Sequence, residues 1–230
     1  MSGTLYIVAT PLGNLEDMTL RAVRLLKECD AVVAEDTRRT RPLLSHFGIE
    51  GKEIISFFEH SHKGRQTHIL NYLKAGQNIA LVSDAGTPTL SDPGAKLVAA
   101  CYEEGIRVLP VPGPSALITA LSVAGFPTEP LHFWGFLSPS PQKRRKIYRM
   151  ITDMDGVHAF YASPHKLEKL LLEWKTFFPD WYFFIGREMT KKFEEYTRGT
   201  CEQVIEKLAQ VEPRGEYTVL LVKELFISKN

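Results

Sequence analysis

Five short apolar runs punctuate the first half of the chain: Leu5–Ala9, Ala31–Ala34, Ile54–Phe58, Ile79–Val82 and Val108–Val111. Stretches with apolar residues at helical spacing separate them: Thr19–Lys27, Arg41–Phe47, Arg65–Ala75 and Ala95–Glu104. A continuous apolar run of four or five residues reads as a strand buried on both faces. The alternation therefore predicts βαβ units, and so a mostly parallel sheet with helices on both sides. Gly48, Gly76 and Gly105 fall just past three of the predicted helices, where a left-handed cap is expected.

From about Pro114 the pattern changes. A helix is predicted over Ser115–Val123, then strands at His132–Leu137, Val157–Tyr161, Trp181–Ile185, Glu194–Arg198 and Tyr217–Lys223. The Glu194–Arg198 run follows its predecessor after the short turn Thr190-Lys191-Lys192, a hairpin signal. The second half thus reads as a mixed sheet. The expected division is into residues 1–113 and 114–230. Phe133, Trp134 and Phe136 are expected in the second core, although an aromatic at a strand end can also stack on a base.

Composition narrows the class. The 230 residues are 44% hydrophobic and 24% charged, as in a globular protein. The net charge of +1 points at no class of partner. Cys29, Cys101 and Cys201 are isolated, with no Cys-x-x-Cys, which predicts a reducing compartment without a disulfide framework. The first apolar run lacks a basic flank and soon meets Pro11, so it reads as a strand rather than a signal peptide. No apolar stretch approaches the roughly 20 residues of a membrane span. The expectation is a cytoplasmic protein without membrane contact.

The candidate chemistry lies in the turns that end the strands. Ser83-Asp84-Ala85-Gly86-Thr87-Pro88 follows one apolar run. Thr10-Pro11-Leu12-Gly13-Asn14, Ala34-Glu35-Asp36-Thr37-Arg38 and Pro112-Gly113-Pro114-Ser115-Ala116 follow three others. In open α/β sheets ligands bind beyond the carboxyl ends of the strands, so four such turns predict one ligand edge. The chain has no glycine cradle for a dinucleotide or nucleoside triphosphate and no Gly-x-Ser-x-Gly elbow. His60-Ser61-His62 has no cysteine or further histidine near it, and no metal site is expected there. A ligand with an amine, hydroxyls and a heteroaromatic ring suits these turns, and S-adenosylmethionine is one such ligand. Asp84 can accept from its amine or ribose. Backbone groups at Ala85–Thr87 and Ser115-Ala116 can hold its amino acid and adenine, and Leu12 can cover its ring.

The ordered set Thr10–Asp17, Ala34–Arg38, Ser83–Pro88, Ser91–Gly94 and Pro110–Ser115 resembles the tetrapyrrole-methylase superfamily. Within it, the set resembles the bacterial ribosomal RNA small subunit methyltransferase I group. Phe160–Lys166 and Gly186–Lys191 carry the likeness into the second half. The resemblance implies a two-domain α/β fold of the class III S-adenosylmethionine methyltransferases. It implies a parallel N-terminal sheet and a mixed C-terminal one, the cofactor between the domains and a homodimer. It further implies 2′-O-methylation of a cytidine in the decoding region of small-subunit (16S) ribosomal RNA, as naked RNA or within the 30S subunit. Cofactor contacts are then expected at Leu12, Asp84, Ala85, Thr87, Ser115, Ala116 and Tyr161. The chain departs from the group at Ala162, where glutamate is expected, and at Lys166, where arginine is. Ser61-His62 stands where Asn-Glu is commoner.

A ribose hydroxyl is a weak nucleophile while protonated, and Glu35, Asp36 and His60 are the candidate general bases. Asp36 has a second reading as the cap of the following helix. Arg38, Arg39 and Arg41 form one basic cluster, and Lys143, Arg144, Arg145, Lys146 and Arg149 another. Arg38, Lys143, Arg144 and Arg145 are the candidate RNA contacts; the plainer reading is a solvated helix face. Two other functions stay open: a same-fold methyltransferase acting on a tetrapyrrole or a modified protein residue, and a noncatalytic RNA-binding or assembly factor.

Overall fold

The structure is a computed structural model and describes residues 2–58, 63–210 and 214–225. It divides into two compact units, Met1–Ser115 and Ala116–Asn230.

The first unit runs β1 (Thr4–Val8), α1 (Leu20–Glu28), β2 (Ala31–Ala34), α2 (Thr37–His46), β3 (Glu53–Ser56), α3 (Lys63–Lys74), β4 (Ile79–Val82), α4 (Ala95–Glu103) and β5 (Arg107–Val111). Its five strands are all parallel, in the order β3-β2-β4-β1-β5. Alternate strand residues feed two cores. Val8, Val32, Ala34, Ala80 and Val82 meet Ala22, Leu25, Leu26 and Leu44 of α1 and α2. Leu5, Val33, Ile79 and Leu81 meet Ile69, Leu73, Leu97 and Cys101 of α3 and α4. Both faces are covered, which is why these strands read as unbroken apolar runs. Gly48, Gly76 and Gly105 carry positive φ of 64°, 90° and 64° at the ends of α2, α3 and α4. Helix α2 begins four residues before the expected Arg41, because Asp36 caps it and Pro42 is accommodated inside it.

The second unit runs α5 (Ala116–Ala124), β6 (Leu131–Phe136), α6 (Pro141–Thr152), β7 (Val157–Ala162), α7 (Pro164–Phe177), β8 (Tyr182–Arg187), β9 (Glu195–Thr200), α8 (Cys201–Leu208) and β10 (Tyr217–Val222). The sheet order is β6-β7-β10-β8-β9, with β6·β7 parallel and the other pairs antiparallel. Helices α6, α7 and α8 bury one face around Tyr148, Phe160, Trp174, Phe178 and Phe183. Helix α5 packs on β10 and β8. Phe136 corrects the sequence expectation. It is 61% exposed, because the ladder between β6 and β7 shifts register between Phe133 and Gly135 and resets the alternation of faces. Cys29, Cys101 and Cys201 are free and buried. Among the described residues no helix is long and apolar enough to cross a membrane.

Candidate active site

Because the first sheet is parallel throughout, the turns after β1, β2, β4 and β5 all leave the same edge. Strands β2, β4, β1 and β5 are also consecutive neighbours. The turns are tied to one another by hydrogen bonds. Thr10 and Gly86 exchange both backbone hydrogen bonds at 2.9 Å, and Thr10 Oγ1 donates to Ser83 O at 3.1 Å. Ser83 Oγ donates to Gly86 O at 3.2 Å, and Thr87 Oγ1 to Pro114 O at 3.0 Å. The hydroxyls in these turns thus hold the edge together.

The backbone here is unusual. Gly86 has φ 82°, and a Cβ on it would lie 3.2 Å from Leu12 Cδ2 and 3.7 Å from Pro114 O. Thr89 and Ser91 hold positive φ of 74° and 69° without being glycine. Such strain persists only where the surroundings impose it, and it concentrates at functional sites.

Asp84 joins two of the turns. Its Oδ1 accepts from the Asp36 N–H at 3.2 Å, and its Oδ2 faces Arg39 Nε at 3.4 Å. Asp36 caps α2 by accepting from the Arg38 N–H at 2.9 Å. The Arg38 guanidinium reaches the same carboxylate at 2.7 Å from Nη2. The side-chain hydrogen bonds from Arg38, helped by its backbone N–H, hold the Asp36 carboxyl down at about 2. Glu35 is half-buried at the end of β2. His60 lies outside the described residues.

A cavity of about 250 Å³ opens beside Asp84, with apolar walls from Leu12, Leu15 and Leu43 and polar ones from Thr10, Arg39 and Thr40. Of the expected cofactor contacts, it gathers Leu12 and Asp84. Ala85, Thr87 and Ser115 belong to the neighbouring turns outside its lining, while Ala116 opens α5 and Tyr161 is next to the last residue of β7 in the second unit. Tyr161 is half-buried and meets Phe133 and Phe136 edgewise or tilted, with centroids 5.0 and 5.5 Å apart. Arg39, Thr40 and Leu43 were not singled out in the sequence as lining residues. The signal was present in spacing: Arg39 and Thr40 stand three and four residues after Asp36, one turn along the helix it caps.

Among the candidate RNA contacts, Lys143 and Arg145 are exposed on α6. Arg144 corrects the expectation. It is 4% exposed, gives Glu173 two hydrogen bonds at 2.5 and 2.8 Å and donates to Ser138 O and Pro139 O. It lies on the face of α6 shared with Tyr148 and Ile151, which packs into the core. Arg38 is exposed and engaged with Asp36.

The tetrapyrrole (corrin/porphyrin) methylase profile matches residues 4–205. The ribosomal RNA small subunit methyltransferase I of Thermotoga maritima is 45% identical over 219 residues, covering 95% of this chain and 98% of that one. Among solved structures, diphthine synthase superposes with a TM-score of 0.72 at 14% identity, over 97% of this chain and 91% of that one. Uroporphyrin-III C-methyl transferase from Thermus thermophilus, complexed with S-adenyl homocysteine, gives 0.66 at 18% identity, over 96% and 98%. At those identities the solved structures share the fold. The profile and the bacterial relative go further, and by them the chain belongs to the tetrapyrrole methylase family, in its ribosomal RNA small subunit methyltransferase I group.

Proposed function

We propose that this protein methylates the ribose 2′-oxygen of a cytidine in the decoding region of small-subunit ribosomal RNA, using S-adenosylmethionine. The observation that carries the reading is the set of strand-end turns bound together around Asp84, beside a cavity with apolar and polar walls. The name of the bacterial relatives supports the RNA substrate, and the same-fold enzyme complexed with S-adenyl homocysteine supports the donor.

The edge suits such a donor. It offers the Asp84 carboxylate, part-buried turn backbone and the apolar Leu12. When bound, S-adenosylmethionine supplies an electrophilic methyl group; binding, alignment and proton handling fall to the chain. Asp84 accepts from amine or ribose hydroxyls, and Ala85, Thr87 and Ser115 present backbone groups. Ala116 stays in this reading through its place in the turn after β5, and Tyr161 on the family likeness alone. A cavity of about 250 Å³ is small for a whole cofactor, so it takes one sugar or ring. The 2′-hydroxyl must give up its proton, and Asp36, held at about 2, is a poor recipient. Glu35 on the same turn is the base in this reading, with His60 the alternative. Arg39 at the cavity wall stabilises charge developing on the oxygen.

The test is transfer of labelled methyl from S-adenosylmethionine to three acceptors: 30S subunits, naked 16S RNA and a uroporphyrinogen-type tetrapyrrole. The expected product is an alkali-resistant, cytidine-containing dinucleotide from the RNA. Label on the tetrapyrrole alone would move the chain to the other chemistry. RNA binding without transfer would make it an assembly factor. Asp84→Asn should weaken cofactor binding by about 1.5–3 kcal/mol, roughly ten- to 150-fold. Unchanged affinity by calorimetry removes Asp84 from the site.

A further inference from the structure

We infer that the outward stripe of α6, formed by Arg145, Lys146 and Arg149 with Lys143 at its side, is the surface on which the RNA phosphate backbone docks. The inference rests on the reading that RNA is the substrate and adds where, on the second unit, it is held.

The stripe is unfavourable to its own helix. Arg145–Arg149 are like charges at i,i+4, and Lys146–Arg149 and Lys143–Lys146 at i,i+3, spacings at which like charges repel. The first turn of α6 has no acidic residue and carries Lys143 and Arg144, opposite to what the positive end of a helix favours. Several exposed cations elsewhere in the chain are paired. Arg24 meets Glu28 at 2.7 Å, Lys74 meets Glu104 at 2.9 Å and Lys175 meets Glu202 at 2.9 Å. Among the described residues, Lys143, Arg145, Lys146 and Arg149 are all exposed, and none of their side chains makes a hydrogen bond or ion pair.

The arrangement also fits a polyanion. Arg145, Lys146 and Arg149 line a shallow groove with Gln142, Met150 and Asp153. The opposite face of the helix is anchored, since Arg144 is bound to Glu173 and Tyr148 donates to Glu173 at 3.0 Å. The cations therefore stand on a fixed platform, one helical turn or about 6 Å apart for Arg145 and Arg149. Concentrating charge here in a chain of net charge +1 supplies phosphate contacts without a strongly basic whole.

The test uses the full chain with Arg145, Lys146 and Arg149 each changed to glutamine, a residue that keeps helix propensity. Binding to a decoding-region fragment of 16S RNA and to 30S subunits is measured across a salt series. The expected result is roughly tenfold or greater loss of affinity, and a log–log salt slope shallower by about 2, from about 0.7 per lost contact. Lys175→Gln, which removes a paired cation, should leave the slope unchanged. The triple variant should melt no lower than the parent, because like charges have been removed. Wild-type affinity and slope in the triple variant would overturn the inference. So would salt-dependent binding of the parent to anionic phospholipid vesicles but not to RNA. The two readings fail separately. Methyl transfer to RNA that survives the triple change intact leaves the reaction standing and removes the surface. Stripe-dependent RNA binding without any transfer leaves the surface and removes the reaction.

Discussion

Asp36 shows how one carboxylate is withdrawn from base chemistry by its neighbours. It caps α2 and is gripped by Arg38, so it stays ionised down to about pH 2. An acid limb in the pH–rate profile near neutrality therefore belongs to another group. Asp36→Asn keeps a good capping side chain and should leave that limb in place, with single-turnover rates within a few-fold of the parent. A limb that moves with Asp36→Asn would return it to the list of bases. Gly86 works through its backbone. With φ 82° and Leu12 Cδ2 3.2 Å from the position of a Cβ, Gly86→Ala adds left-handed strain of about 1–2 kcal/mol and presses on Leu12. Denaturant titration should read the strain, and cofactor calorimetry the displacement of the turn.

At the scale of elements, α6 and α7 are joined by a polar bond inside an aromatic core. Arg144 donates from Nε and Nη2 to Glu173, and the Tyr148 hydroxyl donates to the same carboxylate. Arg144 first, against some burial, holds the Glu173 carboxyl below its ordinary range, and burial pushes the Tyr148 phenol up. Glu173→Ala leaves a guanidinium that is 4% exposed without its counter-charge. The expected loss is about 3 kcal/mol, at the low end for a broken buried pair because Glu173 keeps some solvent. Glu173→Gln, which can still accept, should lose less. If Glu173→Ala unfolds at the same denaturant midpoint as the parent, the bond is ornamental to stability.

For the molecule as a whole, one buried ring is expected to contribute to the response to mild acid. His158 is fully buried on β7, stacked on His132 at 4.9 Å and beside Trp181. The Trp134 indole N–H donates to its Nδ1 at 3.2 Å, so the neutral ring keeps its proton on Nε2. Burial, with a smaller push from His132, lowers its pKa from 6.5 to about 4. A lowered histidine pKa means that the folded state binds its proton less readily than the unfolded chain. The stabilisation is therefore complete above pH 6.5 and is lost as pH falls towards about 4. The amount is about 3 kcal/mol. His158→Gln, which keeps an acceptor for Trp134, should flatten the stability profile across that window. An unchanged slope there would assign the acid sensitivity to carboxylates such as Glu173.

Strand positions, the parallel grammar of the first half and the gathering of the strand-end turns at one sheet edge were legible in the chain because each depends on local pattern. An apolar run four residues long, followed by a Gly-Pro turn, has few other ways to be buried. The motifs at Thr10–Asp17, Ala34–Arg38 and Ser83–Pro88 were legible for the same reason: strand, turn and helix cap are contiguous in sequence. What depended on contacts far apart in the chain was not. Arg144 read as one of five surface cations, and only the packing of α6 against Glu173, 29 residues on, turned it inward. Arg39 became a cavity wall only when β4 settled beside β2 and brought Asp84 to it. Phe136 read as core until a bulge in β6 rotated it outward. Burial and charge pairing are properties of the assembled fold; the sequence determines which elements form, and tertiary packing decides which faces and charges are left for ligands.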